Sequence, residues 1–512
     1  MTQFNSIADV IRRHATITPD RVALLTDNIG VSYLDLQAHS SRVAAALMKS
    51  GVSRGDRVSY LGKNSSEFFY LLIGAAQIGA IVVPLNWRLA VPELLEILAD
   101  ASPKVLVVGA DHTRIGTEIA LVNTEVEVVA INSEDAPVPG PVIEYERWSD
   151  AEVFDLLPTA FSEDTAMLVY TSGTTGRPKG AMISHRSLLL HLEALSSVAG
   201  ISDSSVSIST LPVFHIGGSS WTLAGLWAGC TTVQFRDVVP VQVLESIAQH
   251  KGTNLIAVPS VIQALVDALP SVEQDFKSLQ RLYYGGGPVS TSVLGKALEA
   301  FDCDFVQGFG MTECALVAAL EPKFHHRPEL LRSCGRPIAD TEVRLVDSES
   351  LADVPVGDVG ELWVRSPRVM SGYWNKPEIT AETITSDGWL RTGDAASMDA
   401  EGFLYIRDRL KDMIITGGEN VYCAEVENVL MEHPDILECA VIGVPSEKWT
   451  ETVKAVVVLA PESDADQKQI VQFCRQRLAG YKCPTSVEFL PVLPRTPSGK
   501  LQKFLLREQY WS

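Results

Sequence analysis

The chain has few basic residues for its length. Lysine and arginine total 42 of 512 residues, against 63 aspartates and glutamates, and the formal net charge is −21 at pH 7. This charge disfavours non-specific binding to DNA and to anionic membranes, because like charges repel. We therefore expect no nucleic-acid partner, and an anionic substrate needs a local positive site.

Cysteine is also sparse, at eight residues, and no two cysteines form a CxxC pair. Their spacing matches neither a zinc site nor a disulfide framework. We expect reduced, mostly structural thiols in a cytoplasmic protein. Residues 1–20 contain no apolar stretch after Arg12 and Arg13, so a signal peptide is not expected.

One uncharged run, residues 68–85, is long enough to cross a membrane. Gln77, two glycines and Pro84 interrupt the run. The pattern favours a buried helix that ends near Gly79, followed by a short buried strand. No integral membrane segment is expected.

Helical and strand patterns alternate along most of the chain. Residues 33–50 and 92–99 have helical spacing, whereas 56–61 and 104–108 are short β-rich runs. Such alternation predicts an α/β fold of parallel sheets covered by helices. Residues 133–141, rich in Pro, Asp and Glu, indicate a surface loop.

The pattern changes after about residue 335, where short strands and turns indicate a β-rich subdomain. From Leu410 onwards, helices and strands alternate again, which predicts a small α+β domain. We expect an N-terminal domain over residues 1–408 and a C-terminal lid domain over 409–512. The elements expected in this part are strands at 341–346, 360–365, 402–406, 437–444 and 454–459, and helices at 424–432 and 467–479.

The most specific local motif is TSGTTGRPKG, residues 171–180, which follows an apolar run. Glycines let backbone N–H groups approach phosphate oxygens, hydroxyls donate, and Lys179 supplies a positive charge. By composition alone, a flexible polar loop explains the string equally well. It is not a Walker A loop, because Pro178 stands where the second glycine of that motif is required.

The dinucleotide-binding fingerprint fails as well, since Gly308-Phe309-Gly310 is followed by Met-Thr-Glu. These two failures disfavour P-loop phosphotransferases and Rossmann dehydrogenases.

Seven motifs, in order between residues 171 and 500, resemble those of the adenylate-forming (ANL) superfamily, and the resemblance covers roughly residues 5–510. The overall pattern is most similar to bacterial fatty-acyl-CoA synthetases, which are AMP-forming acyl-CoA ligases. The motifs are TSGTTGRPKG (171–180), LPVFHIG (211–217), YGGGP (284–288), QGFGMTE (307–313), RTGD (391–394), DRLK (408–411) and PSGK (497–500).

The resemblance implies two steps and a set of roles. A carboxylic acid attacks the α-phosphate of ATP to give an acyl-adenylate and pyrophosphate, and the thiol of coenzyme A then displaces AMP. Glu313 is expected to hold Mg²⁺, which prefers carboxylate and phosphate oxygens. Thr312, His215 and Lys500 are the other expected catalytic residues, with Lys500 placed between the carboxylate and the α-phosphate, where it offsets their repulsion.

The resemblance also assigns binding residues. Asp394 and Arg409 are expected at the ribose, and Lys411 is expected to be the hinge about which a mobile C-terminal domain rotates. The residues expected to bind ATP are Thr171, Ser172, Gly173, Thr174, Thr175, Gly176, Lys179, Gly286, Gly287, Pro288, Gln307, Gly308, Phe309, Gly310, Met311, Asp394 and Arg409. The residues expected at the acyl pocket are Phe214, Gly217, Gly218, Trp221 and Gly285, and those at coenzyme A are Gly417, Gly418 and Glu419.

Two observations bear on the acid. His215 stands where amino-acid-activating relatives carry an aspartate, and no Lys or Arg lies between Leu211 and Leu226, which disfavours amino acids and dicarboxylates. Glycines 217, 218 and 285–287 leave space for an apolar chain, so a medium- or long-chain fatty acid is favoured. Aryl, steroid-derived and sulfur-containing acids stay open.

There are three alternatives to this function. An acyl-AMP ligase that loads a carrier protein is the main rival, luciferase-type oxidation needs a special substrate, and the retained charged residues argue against an inactive homologue. His325 and His326 are read as a surface loop and not as a metal site, because adjacent histidines need not face one site. A homodimer is left open.

Overall fold

The computed structural model of the chain describes residues 4–131, 142–153, 160–172, 178–273, 275–287, 289, 291–416, 419–446, 449–461, 463–495 and 501–510. The chain divides into two compact units. The first unit is Met1–Glu342 with Arg365–Leu390, and the second unit is Val343–Val364 with Arg391–Ser512. The small β-rich subdomain thus belongs to the second unit. The expected boundary between residues 408 and 409 concerns a moving lid, and it stays a prediction.

The described residues form α-helices and β-strands in alternation along most of the chain. The helices are α1 (Ile7–Ile17), α2 (Tyr33–Lys49), α3 (Ser66–Ile78), α4 (Val91–Ala101), α5 (Thr113–Val122), α6 (Tyr145–Ser149), α7 (His185–Ala199), α8 (Ile216–Ala228), α9 (Pro240–His250), α10 (Pro259–Ala268), α11 (Thr291–Ala300), α12 (Pro377–Thr383), α13 (Cys423–Leu430), α14 (Gln467–Arg475) and α15 (Lys503–Glu508).

The strands are β1 (Val22–Thr26), β2 (Ile29–Ser32), β3 (Arg57–Leu61), β4 (Ile81–Leu85), β5 (Val105–Val108), β6 (Glu127–Ala130), β7 (Ile143–Glu144), β8 (Thr165–Ser172), β9 (Pro178–Ser184), β10 (Val206–Ser209), β11 (Thr231–Gln234), β12 (Asn254–Ala257), β13 (Arg281–Gly285), β14 (Asp304–Met311), β15 (Ala315–Leu320), β16 (Arg336–Pro337), β17 (Glu342–Val346), β18 (Val359–Arg365), β19 (Leu390–Met398), β20 (Leu404–Arg409), β21 (Ile414–Thr416), β22 (Glu419–Val421), β23 (Ile436–Ser446), β24 (Thr450–Leu459) and β25 (Ser486–Phe489).

Two large sheets make up the first unit. One has nine strands in the order β16-β15-β14-β13-β12-β10-β11-β1-β2, and the other has seven in the order β7-β6-β5-β3-β4-β8-β9. Their central strands are parallel, whereas β2, β9, β15 and β16 run antiparallel at the edges. The predicted α/β class is confirmed, and the sheets are mixed at their edges because short connections cannot cross over to a parallel neighbour.

The β1–β2 connection shows this local control. Asp27 and Asn28 both have positive φ, 49° and 65°, and they join Thr26 to its partner Ile29. Two residues with φ above zero form the tight turn whose twist suits an antiparallel hairpin. Aspartate and asparagine adopt this conformation more readily than most residues.

The long apolar run is a buried helix followed by a strand, as predicted. Every residue of α3 from Phe68 to Ile78 is buried, and α3 ends at Gly79, whose φ is +72°. A helix that is apolar on all sides belongs inside a protein or a membrane. Among the helices of the described residues, none is long and apolar enough to cross a membrane.

The second unit contains two smaller sheets. One has the order β17-β18-β19-β20, and the other the order β22-β21-β24-β23 with β25 beside β24. Along β24, Val453, Ala455 and Val457 face the core formed with α13 and α14, whereas Val456 and Val458 face the core that contains Leu506 of α15. This alternation of faces confirms the small α+β domain predicted after Leu410.

Most expected elements lie within two residues of the observed ones. The helix expected over 467–479 is shorter, since α14 ends at Arg475. The loop expected over 133–141 lies outside the described residues.

Candidate active site

The motif 171–180 lies on the hairpin formed by β8 and β9. Thr171 and Ser172 end β8, Pro178 begins β9, and Thr171 pairs with Lys179. A strand, not a helix, follows the motif, which agrees with the absence of a Walker A sequence. Gly173, Thr174, Thr175 and Gly176 lie outside the described residues.

A hydrogen bond attaches this hairpin to α4. Tyr170 donates its hydroxyl to Asp100 Oδ2 at 2.6 Å. Burial, together with this bond to a carboxylate, raises the pKa of Tyr170 well above its usual range. A Cβ at Gly180 would meet the Tyr170 ring at 3.0 Å, so glycine lets the ring lie across the hairpin.

Glu313 lies in the three-residue connection between β14 and β15, next to the half-buried Thr312. Glu313 is only 7% exposed, and its Oε1 accepts a hydrogen bond from the Tyr373 hydroxyl at 2.9 Å. The backbone N–H of Met370 donates to the Glu313 carbonyl at 2.8 Å. The segment that contains Met370 and Tyr373 therefore holds Glu313 at both its backbone and its carboxylate.

The same segment pairs with β9. Tyr373 forms a β-bridge with Ala181, and Met182 N–H donates to the Gly372 carbonyl at 2.9 Å. The Nζ of Lys179 lies 5.3 Å from the centre of the Tyr373 ring, within cation–π distance. One tyrosine thus contacts both the lysine of the 171–180 motif and the carboxylate expected to hold Mg²⁺.

Tyr373 is not among the residues that the sequence predicts for the site. The surrounding string, Ser371-Gly-Tyr-Trp-Asn375, contains no charged residue and belongs to none of the seven motifs, so it does not indicate a functional role. Only pairing between distant segments brings the tyrosine to Glu313.

The glycine-rich motifs lie at the carboxyl ends of two neighbouring parallel strands. Gly285 of β13 pairs with Gly308 of β14, and a Cβ at Gly285 would collide with the Gly308 carbonyl oxygen. Gly286 follows with φ of +78°, a conformation that favours glycine. Ligands of α/β proteins bind beyond the carboxyl ends of parallel strands, so this is where the adenine-side motif is expected to act.

The remaining residues of these two motifs are on the same strands or just after them. Gln307, Phe309 and Met311 are half-buried along β14, and Gly310 packs against the Ala315 carbonyl of β15. Gly287 is exposed, and a Cβ there would meet no atom within 4 Å. Pro288 lies outside the described residues.

The aromatic motif precedes α8, and His215 is the N-cap residue of that helix. The Phe214 ring is buried, and it lies 4.4 Å from His215 and 6.4 Å from Trp87, centre to centre. Asn64 holds the motif from outside: its amide donates to the Leu211 carbonyl at 2.9 Å, and its Oδ1 accepts Val213 N–H at 2.8 Å. His215, Phe214 and Trp87 therefore form one cluster of aromatic rings just before α8.

The glycines expected to leave space for the acyl chain do not all do so. A Cβ at Gly218 would collide with the Pro212 carbonyl, and Gly285 is closed by Gly308 as described. Gly217 has only Leu211 nearby, at 3.4 Å from the Cβ position. The prediction of open space is therefore wrong for Gly218 and Gly285, which serve close backbone packing, whereas Gly217, Gly286 and Gly287 do leave space.

Trp221 of α8 is fully buried, and its ring centre lies 5.4 Å from that of Tyr283 on β13. The Tyr283 hydroxyl in turn lies where a Cβ of Gly308 would be. Helix α8 and strand β13 are therefore joined by contact between two aromatic side chains, whose rings are tilted by 42°.

Asp394 and Arg409 pair across β19 and β20 of the second unit. Asp394 is 3% exposed, and its Oδ1 lies 2.9 Å from Arg409 Nε. Arg409 also donates to the Thr392 carbonyl at 3.0 Å. Gly393, which lies between Thr392 and Asp394, has φ of +70°. The guanidinium thus contacts one oxygen of a buried carboxylate, and the role of Asp394 at the ribose stays a prediction.

Lys411 lies in the short helical turn Leu410–Asp412, directly after Arg409. Asp412 Oδ1 lies 2.9 Å from an Arg507 nitrogen, and the Asp412 carbonyl accepts the Cys423 thiol at 2.9 Å. Glu419 begins β22, opposite Thr416, and it is exposed. Gly417, Gly418 and Lys500 lie outside the described residues.

The surface-loop interpretation of His325 and His326 is wrong for the first of them. His326 is exposed, but His325 is buried and its Nε2 lies 3.1 Å from the Tyr284 hydroxyl. The turn that contains His325 packs against β13 because the imidazole and the phenol satisfy each other.

Glu313 is the carboxylate that is expected to hold magnesium. No group of three or more His, Cys, Asp or Glu residues converges in the described part of the chain. A single buried carboxylate, Glu313, fits Mg²⁺, which typically binds one or two carboxylates together with substrate phosphates and water. The donor set therefore fits a metal that arrives with a nucleotide.

Comparisons with known proteins agree along the whole chain. The family model described as AMP-binding enzyme matches residues 11–374, and that described as AMP-binding enzyme C-terminal domain matches residues 425–500. The chain is 39% identical to a feruloyl-CoA synthase from Amycolatopsis sp, over 97% of this chain and 98% of the relative. It is 35% identical to the fatty acid–[acyl-carrier-protein] ligase ScoC of Streptomyces coeruleorubidus, over 99% and 97%.

A solved structure gives the same result for the fold. The amide bond synthetase McbA from Marinactinospora thermotolerans matches with a TM-score of 0.89 at 32% identity, over 98% of this chain and 99% of that chain. The two-part architecture derived above is therefore that of these proteins.

Proposed function

The chain belongs to the family of AMP-binding enzymes, and from this premise we propose that it is an AMP-forming acid–CoA ligase acting on an apolar carboxylic acid. It is an adenylate-forming enzyme, and two relatives that match almost its whole length are named as acid–thiol ligases. The proposal adds coenzyme A as the acceptor and the class of acid. Mg²⁺, ATP and coenzyme A are the implied cofactor and co-substrates.

One observation carries the proposal: Lys179 and Glu313 both contact Tyr373 in the first unit. The cation suits the charge of the terminal phosphates, and the carboxylate suits the metal that accompanies them. Gly286 and Gly287, just after β13, are exposed and have no side chain, so a nucleotide can approach their backbone closely.

In the first step, an oxygen of the substrate carboxylate bonds to the α-phosphorus, and the bond from that phosphorus to pyrophosphate breaks. Lys500 is assigned the position between the two anions, where a cation stabilises the charge that develops in the transition state. Thr312 is assigned as a donor to the α-phosphate and His215 as the group that orients the carboxylate. Mg²⁺, when bound, neutralises phosphate charge and favours departure of pyrophosphate.

In the second step, the coenzyme A sulfur bonds to the acyl carbon and the bond to AMP breaks. Asp394 and Arg409 are assigned to hold the nucleotide through both steps. Gly417, Gly418 and Glu419 are assigned to the pantetheine, which needs close access to backbone.

The first candidate for the acid is a planar aryl acid. Phe214 and Trp87 line the aromatic motif, and the glycines at 218 and 285 are used for backbone packing and not for an open channel. Flat rings stack or meet edge-on with such walls. The relative that shares 39% identity is a feruloyl-CoA synthase, which supports the same choice.

A medium- or long-chain fatty acid is the second candidate. It is supported by the fatty-acid ligase that shares 35% identity over almost the whole chain. A carrier protein replaces coenzyme A as the acceptor in that relative's name, so the acceptor and the acid must be tested together.

The test is AMP release from the purified protein with ATP, Mg²⁺, coenzyme A and a panel of acids from acetate to stearate, with benzoates and hydroxycinnamates. We expect AMP release that requires both coenzyme A and an aryl acid, and Glu313→Gln should abolish it. Turnover with fatty acids alone would select the second candidate. Acid-dependent pyrophosphate exchange with no response to coenzyme A would contradict the CoA ligase and indicate a carrier-protein acceptor.

A further inference from the structure

We propose that Tyr373 is a positioning residue for nucleotide-bound magnesium: its hydroxyl orients the Glu313 carboxylate while its ring holds Lys179 apart from that carboxylate. The proposal rests on the function proposed above. It assigns a role to a residue that belongs to none of the seven motifs.

The first step of the argument is the hydrogen bond to Glu313. The Tyr373 hydroxyl donates to Oε1 at 2.9 Å, and both residues are buried, at 8% and 7% exposure. The carboxylate of Glu313 can rotate about its Cγ–Cδ bond. When a hydrogen bond fixes one of its oxygens, the direction of the other oxygen is fixed as well. Oε2 is then the oxygen directed at a cation, and its orientation is set before the nucleotide binds.

The second step concerns Lys179. Its ammonium lies 5.3 Å from the centre of the Tyr373 ring, so the ring face attracts it. Among the described residues, no ion pair joins Lys179 to Glu313. If the two charges paired directly, they would neutralise each other. Lys179 would then be less available to phosphate, and Glu313 would be less available to the metal.

The third step is the rigidity of the segment. Ser371 N–H donates to the Met182 carbonyl at 2.9 Å, and Trp374 N–H donates to the Gly180 carbonyl at 2.8 Å. The Met370 N–H reaches the Glu313 carbonyl on the other side. The tyrosine is therefore tied by backbone bonds to β9, which carries Lys179, and to the turn that carries Glu313, as a positioning element must be.

The structural alternative is that Tyr373 only fills space. Tyr373→Phe separates the two roles, because it keeps the ring beside Lys179 and removes only the hydroxyl. Tyr33→Phe is the matched control: Tyr33 is fully buried in the same unit and donates its hydroxyl to the Cys230 carbonyl at 2.8 Å.

The experiment measures the Kd of ATP by calorimetry, once with Mg²⁺ and once with EDTA. We expect Tyr373→Phe to weaken binding with Mg²⁺ about tenfold, the scale of one hydrogen bond to a charged group, and to leave binding in EDTA unchanged. Tyr33→Phe should change neither value. In the Glu313→Gln background, adding Tyr373→Phe should have no further effect, because the tyrosine acts through that carboxylate.

Equal weakening with Mg²⁺ and with EDTA would reduce Tyr373 to a structural residue and overturn the inference, as would no change at all. An additive effect in the Glu313→Gln background would overturn it too. Failure of the wild-type protein to bind ATP under either condition would instead remove the proposed function itself.

A second measurement does not depend on the stability of the variant. A 3-fluorotyrosine at position 373 keeps the hydroxyl, and its fluorine resonance should move when ATP is added with Mg²⁺ much more than when it is added with EDTA. The same label at position 33 should not respond. Identical responses at 373 with and without the metal would contradict the proposal.

Discussion

Both carboxylates assigned to the nucleotide are buried, and they have partners of different charge. Glu313 accepts from a neutral phenol, Tyr373, whereas Asp394 is paired with a cation, Arg409. A neutral donor leaves the negative charge of Glu313 available to a metal, and a charged donor satisfies Asp394 as an acceptor for hydroxyl groups. The difference in partner therefore fits the difference in assigned ligand.

Lys500→Ala is expected to slow adenylate formation roughly 10²–10³-fold, the scale of losing one preorganised group that stabilises transition-state charge. Thioester formation from supplied acyl-adenylate should be unaffected, since the lysine acts only while two anions approach each other. Single-turnover measurement of each half-reaction checks this. Lys468→Ala, at an exposed position of α14, is the matched control.

An equal loss in both half-reactions would contradict the assignment of Lys500 to the first step.

At the scale of elements, the expected hinge is bounded on both sides. Arg409 is held to Asp394 and to the Thr392 carbonyl on one side of Lys411. Asp412, on the other side, is held to Arg507 of α15 and to Cys423 of α13. Two bonds also cross this position, since the Met413 N–H donates to the Arg409 carbonyl at 3.2 Å and the Ala424 N–H of α13 donates to Asp408 at 3.3 Å. A rotation about residues 410 and 411 therefore requires these two bonds to break.

Lys411→Pro should spare adenylate formation and impair transfer to coenzyme A, because proline fixes φ near −65° at the expected pivot. Lys411→Ala removes the same side chain and keeps the backbone free, so both half-reactions should stay near wild type. Rates of the two half-reactions in each variant test this. A proline variant that transfers the acyl group at the wild-type rate would place the pivot elsewhere.

At the scale of the whole molecule, two buried histidines on α7 link stability to pH. Burial lowers the pKa of His185 to about 4, and burial followed by the nearby Arg368 charge lowers the pKa of His191 to about 4. In the unfolded chain both groups have a pKa near 6.5. Below pH 6.5 the unfolded state therefore binds protons that the native state refuses, and stability falls as the pH falls towards 4.

At pH 5 this linkage costs about 2 kcal/mol for each histidine. His191→Gln has one group fewer to protonate, so its thermal midpoint should fall less than that of the wild type between pH 7 and pH 5. His326→Gln, at an exposed position, should fall as much as the wild type. An equal fall in His191→Gln and the wild type would show that His191 is not the source of the acid sensitivity.

Much of the fold and most of the site motifs could be predicted from the sequence, because their signals are local. Helix α3 and strand β4 follow from an apolar run broken at Gly79, and the 171–180 string is specific in its order of glycines and hydroxyls. The two motifs that contain Gly285 and Gly308 could be assigned to one site from the sequence. Their direct pairing, which closes the space between them, could not be predicted from spacing.

Other features depend on segments that are far apart in the chain. Tyr373 meets Glu313 only because the segment 371–374 pairs with β9, and Asn64 supports the motif at 211–213 only because the connection between β3 and α3 lies beside that motif. The sequence by itself determined the alternation of helices and strands, the family and the chemistry of the motif residues, since these follow from local pattern and residue type. The tertiary structure alone decided which donor orients each carboxylate and which glycines are closed by backbone, because both depend on distances between segments that carry no mutual signal in the sequence.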